Sequence, residues 1–87
     1  MQLAAGPPTH WVVTLTDGAQ VDIWADAVTG LSGPEDTRDY TFGILMDIDP
    51  GLQDQFDVTA RTPSNPRRVE VCVARFPRSS VRDVRSE

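Results

Sequence analysis

The side chains best suited to chemistry in this chain are four clustered carboxylates, one thiol and one imidazole. Asp47, Asp49, Asp54 and Asp57 fall within eleven residues, and an oxygen-rich loop of that kind is what a hard divalent cation takes. The run Asp47-Ile48-Asp49-Pro50-Gly51 fails the spacing of a calcium loop. Its glycine comes one position early, no glutamate closes the loop, and Pro50 lacks a backbone donor. Asp49 is expected to cap a short helical turn and the other three to be solvated turn residues, with weak cation binding as the lesser alternative. Cys72 and His10 stand alone in their types, too few for the usual zinc ligand set. As a nucleophile–base pair they lack an orienting group. Cys72 lies mid-strand and is expected to be a small buried hydrophobe. No Gly-rich phosphate loop is present, and the chain is too short for the deep cleft that paired carboxylates need in glycoside chemistry. No enzyme activity, cofactor or metal is expected.

Charge is divided by position. Residues 1–57 hold ten acidic residues against one arginine, a charge of −9; residues 58–87 hold three against seven arginines, +4; together they give the net −5. Such polarity favours association with a complementary protein surface or with a second copy. Arg67, Arg68, Arg75 and Arg78 would form one basic face if the last two strands were neighbours. With Trp24 and Tyr40 as stacking residues, that face is the basis of an alternative, a nucleic-acid-binding small barrel. The net charge and a sequence pI near 4.6 oppose it. Trp24 shares its strand face with Asp22 and Asp26, so the ring either folds over a rim or contacts a partner. Trp24, Tyr40, Arg67, Arg68, Arg75 and Arg78 are the candidate binding residues.

A chain of 87 residues makes one domain, and its 39% apolar content lies in the globular range. No apolar run is long enough to span a membrane, and the first residues lack the charge and apolar core of a signal peptide. A single cysteine rules out an internal disulfide, so a reducing, cytoplasmic setting is expected. Eight arginines without a lysine point to GC-rich bacterial coding.

The elements that must position these residues are strands. Residues 1–9, with Pro7-Pro8, read as a flexible arm before a domain over 10–87. Trp11, Val13 and Leu15 alternate with polar or smaller residues, Asp17-Gly18 signals a tight I′ turn, and Val21, Ile23 and Ala25 resume the alternation. A hairpin over 10–16 and 19–28 follows. Residues 29–39 are loop, and 40–48 form a third strand. A helical turn begins at Asp49-Pro50. Phe56, Val58 and Ala60 mark a fourth strand, Val69, Val71 and Val73 a central fifth, and Val81 to Val84 a short last one. The expected core is Trp11, Val13, Leu15, Val21, Ile23, Phe42, Ile44, Phe56, Val58, Val69, Val71 and Val73.

Alternating strands without an intervening helix predict an all-β fold, and closing a small antiparallel five- or six-stranded barrel would bury one face of each. The segment Phe76-Pro77-Arg78-Ser79-Ser80-Val81 resembles the 3₁₀ turn before the last strand of SH3 domains, where a Phe-Pro pair precedes an apolar residue. The resemblance implies an SH3-like barrel topology. Pro77 matches the ligand-binding proline of that family, but Ser80 stands where its tyrosine would be, so proline-peptide binding is not implied. The function expected is a small non-catalytic protein–protein interaction or accessory domain, able to self-associate.

Overall fold

Each alternating segment becomes a strand in the computed structural model, which describes residues 2–3 and 6–87, with side chains from residue 6 onward. The strands are β1 (Gln2–Leu3), β2 (Thr9–Leu15), β3 (Gln20–Ala25), β4 (Ala27–Thr29), β5 (Tyr40–Asp47), β6 (Val58–Arg61), β7 (Arg68–Phe76) and β8 (Val81–Ser86). Two 3₁₀ turns, Pro50–Gln55 and Arg78–Ser80, separate β5 from β6 and β7 from β8. All pairing is antiparallel. One sheet runs β1-β5-β7-β6 with β4 also on β5, and the other runs β3-β2-β8. The all-β class is as expected, and β7 is central. The closed barrel is not: among the described residues the strands form two sheets, and β6 and β8 end them without pairing to each other. The arm expected over residues 1–9 falls partly outside the described residues; within it, Gln2 and Leu3 pair with Asp47 and Met46. Among the described residues no helix is long and apolar enough to cross a membrane.

The β2–β3 hairpin turns at Asp17-Gly18, but not as a I′ turn. Only Gly18, at φ +90°, has positive φ there. Its N–H donates to Leu15 O at 3.0 Å, and Leu15 N–H donates to Ala19 O at 2.8 Å. This is the longer hairpin loop, in which an ordinary turn closes on one left-handed glycine. The expected strand over 19–28 is broken at Asp26. Its N–H donates to Gly43 O at 2.8 Å, and its carboxylate accepts from Leu45 N–H at 2.9 Å. Asp26 thus replaces a ladder bond at the bend that carries the chain from one sheet into the other.

Two apolar clusters hold the sheets. Val13, Ile23, Ala25 and Phe42 form the first, with Trp11, Leu15, Ile44, Phe76 and Val84 among the residues packed around it. Phe42 meets both Trp11 and Phe76 edge-on, at 6.4 and 6.1 Å between ring centres. Ile48, Val69 and Val71 form the second, packed by Met46, Phe56 and Val58. Val73, expected in the core, is 46% exposed. Phe42 opposes Ala74 and Gly43 opposes Cys72, leaving Val73 as the extra residue of a β-bulge. The extra residue moves the inward face of β7 from Val69 and Val71 to Ala74 and Phe76. Cys72 is therefore half-buried beside an open groove rather than a core thiol.

Gln53 is the one polar residue buried as a whole among the described residues. Its Nε2 donates to Ile48 O at 3.0 Å and Pro66 O at 2.7 Å, and its Oε1 accepts from Arg61 Nη1 at 2.6 Å. The 3₁₀ turn around it begins as expected. Asp49 caps it by accepting from Gly51 N–H at 2.9 Å, and Pro50 takes the first position.

Candidate functional site

The hairpin register sets His10 opposite Trp24 on the outer face of the three-stranded sheet. Their rings stack, 4.7 Å between centres and 10° from parallel. His10 Nε2 donates to Asp22 Oδ1 at 2.9 Å, which fixes the imidazole that supports the indole. Trp24 is nevertheless 52% exposed. Val12, between these residues on the central strand, is buried although its register partners are Asp22 and Arg85. The outer face is thus a tryptophan platform ringed by charge over a covered valine.

Tyr40 and Arg78 come together elsewhere. The Arg78 guanidinium sits 4.3 Å from the centre of the Tyr40 ring. Its Nη1 donates to Tyr40 Oη at 2.8 Å, its Nε to Arg38 O at 2.8 Å and its Nη2 to Gly30 O. Its backbone N–H donates to Asp39 Oδ1 at 3.3 Å. The clamp fastens residues 30–39 to the second 3₁₀ turn. Within that loop Arg38 grips Asp36 through Nε at 3.0 Å and Nη2 at 2.8 Å. These bonds hold the Asp36 carboxyl well below the usual carboxylate range and raise the Arg38 guanidinium.

The other candidate arginines do not converge. Arg67 and Arg68 lie at the start of β7, and Arg75 and Arg78 lie at or beyond its far end. Arg75 lies seven positions along β7 from Arg68, roughly 23 Å. Arg68 pairs with Asp47 at 3.3 Å and Arg75 with Asp57 at 3.7 Å. Arg67 is exposed and makes no ion pair among the described residues. The last two strands belong to different sheets, so the condition for one basic face is not met.

Asp47, Asp49 and Asp57 serve as ion-pair and cap residues, and among the described residues no three His, Cys, Asp or Glu side chains converge to hold a metal ion. A groove of about 190 Å³ opens over the bulge of β7, lined by Thr41, Gly43, Thr59, Glu70, Cys72 and Arg75 among others. Glu70 fills part of it. Its Oε1 accepts from Thr59 Oγ1 at 3.1 Å, and a Cβ on Gly43 would lie 2.9 Å from that oxygen.

The residue alternation marked Trp24 but missed its support. Taking Asp17-Gly18 as a two-residue turn pairs Thr16 with Ala19 and sets Trp24 opposite Trp11; the longer loop shifts the register by one residue and brings His10 beside Trp24. The Asp36–Arg38 pair and Gln53 gave no such signal. Protein-family models, curated proteins and solved structures yielded no match to this chain.

Proposed function

We propose that this chain is a non-catalytic protein-interaction domain, SH3-like in arrangement, that engages a partner through the outer face around Trp24. One observation carries the reading: a half-exposed indole held in place by His10 at 4.7 Å rather than folded over a rim. Ordering a long side chain on association costs about 0.5–1.5 kcal/mol, and the stack meets much of that cost before any partner arrives. Tryptophan is among the residues that most often dominate binding energy. Asp22 lies on the same strand face as Trp24 and supplies a polar rim beside it. The SH3-like arrangement is supported by strand order. β8, β2, β3 with β4, β5 and β7 follow one another as neighbours, and a 3₁₀ turn precedes the last strand.

The nucleic-acid alternative has no comparable support, because the arginines divide between two ends of β7 and most are paired with carboxylates or carbonyls. Affinity capture from the producing cells, with wild type, Trp24→Ala and Arg67→Ala/Arg68→Ala as baits, separates the two. The proposed role predicts a protein partner lost with Trp24→Ala and kept with the arginine variant. Loss with the arginine variant alone, together with salt-sensitive binding of a single-stranded oligonucleotide, would reverse the order.

A further inference from the structure

A strand at the end of a sheet carries backbone groups that can template another strand. β8 is such a strand: β2 pairs with one side, and among the described residues no strand pairs with the other. The register shows which groups face outward. Trp11 opposes Ser86, so His10 opposes Glu87, and Glu87 N–H donates to His10 O at 2.9 Å. Bonded and unbonded pairs alternate along an antiparallel ladder. Val12–Arg85 is therefore bonded, whereas Trp11–Ser86 and Val13–Val84 are not. The N–H and C=O groups of Val84 and Ser86 point away from β2, toward the open edge.

We propose that this edge receives a second copy of the same chain, antiparallel, about a two-fold axis at Val84. The inference rests on reading the chain as an interaction domain and adds a surface separate from Trp24. Charge selects the register. With the axis at Val84, Asp83 faces the second copy's Arg85 and Arg85 faces its Asp83. These are unbonded pairs, where side chains approach most closely and opposite charges stabilise. An axis at Asp83 would set that carboxylate against itself, and one at Arg85 would set two guanidinium groups together. Both use the same outward backbone groups, so only the charges discriminate. Within one chain Arg85 lies 3.7 Å from Asp83 and 3.5 Å from Glu87, exposed contacts weak enough to exchange. The bulge that leaves Arg82 between the Thr14–Asp83 and Leu15–Val81 pairs limits the ladder at one end. The product is a continuous six-stranded sheet with each Trp24 on a strand remote from the axis.

Sedimentation equilibrium of the full chain, with circular dichroism to confirm folding, tests this. Wild type is expected to dimerise. Asp83→Arg and Arg85→Asp should each weaken the dimer by about tenfold or more. An equimolar mixture of the two variants should recover it, because every guanidinium then faces a carboxylate. Ser86→Pro removes an outward N–H without altering charge and should also abolish the dimer. A wild-type monomer up to about 1 mM, or a dimer indifferent to all three substitutions, overturns the proposal. A dimer lost in Trp24→Ala but kept in the β8 variants also overturns it and places self-association on the aromatic face. In either case the protein-binding role of Trp24 stands. Partner capture indifferent to Trp24→Ala, with the β8 results as expected, instead removes that role and leaves the edge dimer.

Discussion

Arg78 donates its Nη1 to the Tyr40 hydroxyl at 2.8 Å while its guanidinium lies 4.3 Å from the centre of the same ring. The two residues are 38 apart in sequence, and the contact fastens the 30–39 loop to the turn before β8. Arg78→Ala removes this contact and leaves the carbonyls of Gly30 and Arg38 without their donor. Hydrogen bonds from a charged group are worth about 1.5–3 kcal/mol, and the partly exposed setting favours the lower end. A loss of about 2 kcal/mol by urea denaturation is expected. Arg78→Lys should recover little, because an ammonium cannot reproduce the planar fork. Full recovery by lysine would show that charge alone is needed.

Acid should loosen the same loop. The Asp36 carboxyl is held low by Arg38, so its native value lies below that of the unfolded chain, about 3.9. The pair contributes its full stability above about pH 5 and loses it as pH falls through the lowered native value. The difference in melting temperature between wild type and Asp36→Asn should be constant near neutrality and shrink below about pH 4. A difference that grows with acid would mean the carboxylate is not the stabilised form.

Core depth separates Phe42 from Val73. Phe42 is 1% exposed and touches both Trp11 and Phe76. Phe42→Ala should cost about 3–5 kcal/mol. Val73→Ala, at the bulge, should fall within about 0.5 kcal/mol of wild type. A large loss at Val73 would mean that β7 keeps one face inward throughout.

The hairpin turn depends on one backbone conformation. Gly18 has φ +90° with open space around it, so Gly18→Val meets strain rather than a clash. A loss of at least about 1 kcal/mol is expected, and an unchanged melting temperature would show that the turn can form another way.

Period-2 alternation was enough to find β2, β3, β5 and β7, because each sets large apolar side chains two residues apart over most of its length. It failed where a single residue changes the count. Val73 is the bulge residue, and nothing in Val69-Glu70-Val71-Cys72-Val73 marks it. Only pairing with Phe42 and Gly43 reveals the slip. Asp26 reads as a strand position because the bonds that make it a bend reach Gly43 and Leu45 across the sheet. The burial of Val12 depends on strands to both sides. At the candidate site, the exposed tryptophan was legible as an aromatic on a polar face. Tyr40 and Arg78 were each singled out, but their contact was not, since side chains 38 residues apart meet only through the fold. The division of the arginines likewise depends on the length and direction of β7.

Photo-crosslinking in the producing cells tests the central claim most directly, with the reactive side chain placed at position 24 in one variant and at position 52 in another. Leu52 is 49% exposed, close to the 52% of Trp24, but belongs to the first 3₁₀ turn. The account predicts a discrete protein adduct from position 24 that is absent from position 52. Equal adducts from both positions, or adducts to nucleic acid from position 24, would contradict it.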